Sequence, residues 1–186
     1  MIIELLEKTR SYRRFDESVS ITDEQMRTIA SALRLCPSAA NLQRVRVKIV
    51  NNDLQNQKVF DTLAFAAYLK DWHGPEQGER PTAYAVLASV STPDVNLAID
   101  IGIAAEAMLL AAREMGIGGC IFRSFDPKRI AEVIGNAEVT PVIVIAFGHP
   151  AEQVVIDEAK DGDIRYYRDA KDVHHVPKLS LDELLL

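Results

Sequence analysis

The chain has 186 residues, 48% of them hydrophobic and 26% charged, with a formal net charge of −6. That length suits one compact domain, and the composition is too apolar for a disordered chain. An acidic chain lacks the positive surplus that general nucleic-acid binding needs, so that class is excluded first. The positive charge is nonetheless concentrated: Lys8, Arg10, Arg13 and Arg14 crowd into one short stretch.

Residues 2–10 place Ile2, Leu5, Leu6 and Thr9 on one helical face. After the RSYRRF segment, Thr22 with Gln25 three residues on forms a capping-box pattern. The stripe Met26, Ile29, Ala30 and Leu33 predicts a helix to Leu35, and Pro37 closes it. From Gln43 to Val50, Val45, Val47 and Ile49 alternate with Arg44, Arg46 and Lys48, which predicts a strand with one wet face. A helix is expected over Leu54 to Leu69, a loop over 71–81 and a strand over Tyr84 to Val90.

Val95 to Met115 reads as the longest helix, capped by Gly116. Leu97, Ile101, Ile103, Ala104, Met108, Leu109 and Ala112 make it apolar on most sides, so part of its cover is expected from another subunit, the alternative being the central core helix of a monomer. Asp100, Glu106, Arg113 and Glu114 argue against a bilayer span. Gly118 to Phe122 reads as a strand, and Asp126-Pro127 opens a helix that Gly135 ends. The unbroken run Thr140 to Phe147 suits a strand buried on both faces, with Gly148-His149-Pro150 ending it. The last residues are polar and irregular apart from a little strand at Val154–Ile156, and Tyr166, Tyr167, Val173 and Val176 call for burial. The expected fold class is α+β, a mixed and mainly antiparallel sheet flanked by helices.

Cys36 and Cys120 form neither a disulfide framework nor a C-x-x-C pair. Glu4 and Glu7 interrupt any signal-peptide core, so a cytoplasmic location is expected. No phosphate-loop or G-x-S-x-G signature occurs. His174 and His175 are adjacent, and on a strand neighbours point oppositely, so no metal site is expected there. Three segments remain as candidates. Arg10-Ser11-Tyr12-Arg13 can converge on one anion, or can be a solvated helix end. Pro37-Ser38-Ala39-Ala40-Asn41-Leu42-Gln43 carries hydroxyl and amide groups between a helix and a strand. Gly116 to Cys120 is a glycine-rich turn that can let backbone approach a flat ligand.

Taken in order, RSYRRF, PSAANLQ, DIGIAAEAMLLAAREMGIGGC, IAFGHP and the tail Asp161–Leu186 resemble the nitroreductase family of flavin mononucleotide (FMN) enzymes. The resemblance implies one nitroreductase-like α+β sandwich over 1–186, paired into an intertwined homodimer. About 151–186 would be an extension wrapping the partner subunit. It implies FMN as cofactor, NADH or NADPH as electron donor, and a nitroaromatic, quinone or similar small molecule as acceptor, with hydride passed in ping-pong fashion. By motif match Arg10, Ser11, Arg13 and Lys178 would hold the flavin phosphate and ribityl chain. Pro37, Ser38, Ala39, Asn41 and Gln43 would approach the ring or ribityl, some from the second subunit, and Gly119, Cys120 and Ile121 would lie along the ring. No side chain is assigned a catalytic role, because the flavin carries the chemistry.

The chain departs from the pattern at Arg44, where proline is frequent, at Phe122 and Arg123, where small residues are usual, and at Thr9 and Leu179, where basic residues are common. The bulk at Phe122 and Arg123 motivates an alternative: an FMN-binding carrier or sensor on the same fold, without turnover.

Overall fold

A computed structural model describes all residues, 1–186. Six helices and eight strands follow one another as α1 (Ile2–Lys8), β1 (Phe15–Asp16), α2 (Asp23–Leu35), β2 (Val45–Val50), α3 (Asp53–Phe60), β3 (Ala83–Ser89), α4 (Val95–Glu114), β4 (Gly118–Phe122), α5 (Pro127–Ile134), β5 (Thr140–Pro150), β6 (Val154–Glu158), β7 (Tyr167–Arg168), β8 (His174–Lys178) and α6 (Leu181–Leu184). Strands β1 to β5 form one antiparallel sheet centred on β5, which pairs with β3, β4 and β1. The expected class is borne out.

Period-two alternation builds the layers. On one face of the sheet Ala83, Ala85, Leu87, Ile143, Ile145 and Phe147 pack against α2 and α4. On the other, Tyr84, Val86, Val144 and Ala146 join Cys120, Phe122 and Ile130 beneath α3 and α5. The apolar run of β5 is therefore buried on both sides, as its composition demanded. The predicted caps are present: Thr22 accepts the N–H of Gln25, Asp126 accepts from Lys128 and Arg129, and Gly135 ends α5 in the left-handed conformation.

Four expectations are corrected. The helix expected to reach Leu69 stops at Phe60. Beyond it the chain turns to pair with the segment after β4, Leu63 bridging Phe125 and Ala64 donating to Ser124 at 3.0 Å. Tertiary pairing outcompetes local propensity there. The strand expected from Gln43 begins at Val45, because Gln43 has φ +48°. Strand β5 runs on through Gly148-His149-Pro150, since Phe15 and Asp16 supply a partner there. The tail is ordered by β6, β7 and β8, a small sheet that single-segment patterning did not reveal.

Helix α4 is long and apolar enough to cross a bilayer by length and composition. Its inner face, with Leu97, Ile101, Ala104, Met108 and Ala112, is the centre of the core. Its outer stripe is uncovered: Val95, Ile99 and Ile103 are 72%, 55% and 38% exposed.

Candidate functional site

Helix α1 ends at Lys8 instead of Arg10, with Thr9 as its extended C-cap, and the chain then runs beside β4. Ser11 forms a parallel bridge to Gly119, and the N–H of Tyr12 donates to the Gly119 carbonyl at 3.0 Å. The arginine segment and the glycine strand, far apart in sequence, are thus one surface. Their contact is close. A Cβ on Gly118 would lie 2.6 Å from the Tyr12 ring, and one on Gly119 would lie 2.6 Å from Leu109. The glycines therefore admit the chain's own side chains, a different use from the flat-ligand approach the sequence suggested.

The four basic groups have different fates. Lys8 lies in the last turn of α1. Arg10 donates from Nη2 to the Leu6 carbonyl at 2.7 Å and keeps a buried Nε with no partner. Arg13 uses only Nη1 within the chain, toward Ser11 and His174. Arg14 is consumed: it pairs with Glu79 at 3.2 Å and with Asp172. Ser11, between Arg10 and Arg13, is exposed.

Beneath this segment lies a group that sequence reasoning missed. The Glu152 carboxylate, 3% exposed, accepts the backbone N–H groups of Arg13 and of Arg14, the second at 3.1 Å, and the Arg168 guanidinium at 2.8 Å. It fixes the segment's backbone without touching its side chains. No local pattern marks it, since its partners come from the two ends of the chain. In Glu152→Gln the amide nitrogen would face a guanidinium and the charge would be gone. The expected cost is about 2 kcal/mol, a fall in Tm of roughly 4–8 °C in calorimetry. An unchanged Tm would show that the carboxylate holds nothing.

Segment 37–43 is a different site in one chain. Ala40, Asn41 and Gln43 adopt φ of +48°, +53° and +48°. Each such non-glycine residue costs on the order of 1 kcal/mol, and this strain concentrates at functional loops. Two side-chain oxygens help hold it: Asp100 accepts the Ala39 N–H at 2.9 Å, and Ser38 Oγ accepts the Gln43 N–H at 3.2 Å. Asp100 is itself buried, and its second oxygen has no partner. Pro37, Ser38, Asn41, Gln43, Cys36 and Asp100 border a cavity of about 190 Å³. That is below the roughly 300–1,000 Å³ of a complete small-molecule pocket. Arg44, at the proline position of the resemblance, forks onto Asp94 at 2.7 and 3.0 Å and drives that carboxylate down to about 2. Asp94 is also the N-cap of α4, so Arg44 ties the start of β2 to that helix.

The two sites are well separated. Asp100 holds the loop near one end of α4, while the Arg113 guanidinium lies 5.6 Å from the Tyr12 ring near the other. Thirteen residues at 1.5 Å each put roughly 20 Å between them.

Other expected contacts fall differently. Cys120 is 3% exposed, and burial pushes its thiol up, so it can offer a ligand only backbone. Ile121 faces outward. Phe122 is buried against Phe65, ring centroids 4.9 Å apart, so it does not crowd the surface, whereas Arg123 beside it is exposed. Lys178 makes no ion pair and sits at the far end of β8 from His174, four residues or about 13 Å along the strand. Within the chain no hydrogen bond joins its side chain to Arg10 or Arg13. His174 and His175 point apart, one to Arg13 and the other to Asp157 at 2.6 Å. The Tyr68 ring lies tilted against Tyr166 and Trp72 lies under Arg14 and Arg168, so both pack on the tail or the residues it holds.

A nitroreductase family model matches residues 6–149, which includes every segment just described except the tail. The chain belongs to the nitroreductase family. Among curated relatives it is 30% identical over 160 residues to an NADPH-flavin oxidoreductase of Vibrio harveyi, covering 80% of this chain and 65% of that one. The chain thus spans just under two thirds of that relative's length. Among solved structures, a nitroreductase family protein of Streptococcus pneumoniae superposes with a TM-score of 0.69 at 18% identity, covering 100% of this chain and 99% of the other. An FMN-dependent nitroreductase of Mycobacterium smegmatis, solved with NADPH, gives 0.65 at 17% identity over 81% and 87% of the two chains. These nitroreductase neighbours share the fold seen here.

Proposed function

We propose that the chain is an FMN-dependent oxidoreductase that passes two electrons from NADH or NADPH to an electron-poor small molecule, such as a nitroaromatic or a quinone, and that it works as a homodimer. The observation that carries this reading is the union of the arginine segment with β4 at Ser11 and Gly119, which leaves Arg13 unpaired by any carboxylate in an acidic chain. The donor set suits a phosphate monoester. Arg10 has a buried Nε lacking a partner, Ser11 offers a hydroxyl, and Arg13 keeps its Nε and Nη2 N–H bonds unused. A phosphate of charge about −1.5 to −2 fits two guanidinium groups. The relatives support the chemistry: one is a flavin oxidoreductase by name, another is FMN-dependent and was solved with NADPH.

When bound, the flavin supplies the two-electron chemistry. Arg10, Ser11 and Arg13 anchor its phosphate, and the backbone of Gly119, Cys120 and Ile121 lines the ring side. Pro37, Ser38, Ala39, Asn41 and Gln43 arrive from the second subunit, because in one chain they sit about 20 Å away along α4. A two-fold axis across the outer stripe of that helix brings the Asp100 end of one copy beside the Arg113 end of the other. It also covers Val95, Ile99 and Ile103. Donor and acceptor use the same pocket in turn, so the donor leaves before the acceptor enters.

Anaerobic mixing of the flavin-loaded protein with NADH or NADPH tests the reading. The flavin absorbance is expected to bleach and then recover on addition of a quinone or nitro compound. A bound flavin that neither nicotinamide reduces would sink the enzyme reading in favour of a carrier.

A further inference from the structure

Arg13 carries five guanidinium N–H bonds, and the chain engages only those on Nη1. One points to the Ser11 carbonyl at 3.3 Å, and the other meets His174 Nε2 at 3.2 Å. A guanidinium can only donate, so the nitrogen it meets must be the bare acceptor of a neutral imidazole, with the ring proton on Nδ1. Burial, helped by the nearby Arg13 and Arg168, holds the His174 pKa down to about 4, which agrees. The Tyr166 ring lies under the same guanidinium, 4.9 Å from its carbon. Tyr166 is itself held, its ring tilted against Tyr68 at 4.9 Å and beside His174 at 5.4 Å, with its hydroxyl accepting the Tyr68 N–H at 3.3 Å. Arg13 is thereby fixed along one edge and one face. Its Nε–Nη2 edge, the fork that matches two phosphate oxygens, stays open.

The character of the two holders matters. Arg14, one residue on, is held by the carboxylates of Glu79 and Asp172, which discharge it. A neutral imidazole and an aromatic face orient Arg13 while leaving its charge for a ligand. Resting on the flavin reading above, we propose that His174 and Tyr166 are positioning residues for Arg13, through which the C-terminal tail gives the chain its preference for phosphorylated flavin over riboflavin.

The test titrates the full-length protein with FMN and with riboflavin, followed by flavin fluorescence. Wild type should bind FMN more tightly. His174→Ala should lose at least about tenfold of FMN affinity, the worth of one charge-assisted hydrogen bond, and leave riboflavin affinity unchanged. His174→Gln, whose amide oxygen can take the place of Nε2, should recover most of the loss. Tyr166→Leu should lower the FMN-to-riboflavin ratio and Tyr166→Phe should keep it, a pair that decides the matter if His174→Ala does not fold. Equal weakening of both flavins, or an unaltered ratio across the variants, overturns the proposal and leaves the flavin reading standing. A wild type that prefers neither flavin does the same. A wild type that binds neither flavin overturns both.

Discussion

Arg13→Ala is expected to weaken FMN binding by about 100-fold, and Arg14→Ala by less than about threefold, although the two arginines are neighbours. The arithmetic follows from what each guanidinium already touches. The open fork of Arg13 can make two charge-assisted bonds to phosphate, together worth about 3 kcal/mol after the exchange with water. Arg14 has given its fork to Glu79 and Asp172 and lies over the Trp72 ring, 5.7 Å from its centroid. Its residual field at the phosphate is that of a neutralised cluster, and salt screens the remainder within about 8–10 Å. Arg14→Ala should instead show in thermal stability, because it leaves two carboxylates without their cation. Equilibrium dialysis of FMN against both variants, beside their melting curves, separates the two effects. Equal losses of affinity would mean that the phosphate sits elsewhere on the segment.

That contrast also marks the limit of what could be read from the residues in order. The arginine cluster was visible as charge in an acidic chain, and the motif match singled out Arg10 and Arg13. What distinguishes Arg13 from Arg14 lies about 160 residues downstream, in Asp172 and His174. Long-range ion pairs leave no local periodicity, so neither partner was legible, and nor was Glu152, which reads as one more acid in a polar tail. Elements whose causes are local came through. The Thr22 and Asp126 caps, the Gly135 stop and the alternating or fully apolar strands all lie where patterning put them. Where an element needs a distant partner, patterning failed. The end of α3 is set by Phe125 and Ser124, and the extension of β5 by Phe15 and Asp16. The apolar excess of α4 sits between these cases: the excess was plain, and its outer stripe is uncovered, but a single chain shows no second helix against it.

Gly102 sharpens that last point into an experiment. It lies mid-way along a 20-residue helix, where glycine costs about 1 kcal/mol relative to alanine. The chain itself gives no return, since a Cβ placed there meets nothing within 4 Å. A residue that is unfavourable to its own helix and faces open space makes sense if another backbone approaches it, between Ile99 and Ile103 on the exposed stripe. Gly102→Arg should therefore leave the individual chain folded, and slightly more helical, while blocking that approach. In a two-fold interface the intrusion occurs twice, and each buried, unpaired guanidinium costs several kcal/mol. The expected outcome in sedimentation is a shift from dimer to monomer. In the dimer proposed above, FMN should leave with the second subunit, because that reading brings Ser38, Asn41 and Gln43 to Arg10 and Arg13 across the subunit boundary. Gly102→Ala, one methyl larger, should remain dimeric and yellow, and Ile103→Glu should repeat the effect of the arginine from the neighbouring position. A Gly102→Arg protein that stays dimeric would place the interface on another face. A stable monomer holding a full complement of flavin would show that one chain builds the whole site, against the 20 Å that α4 sets between its two halves.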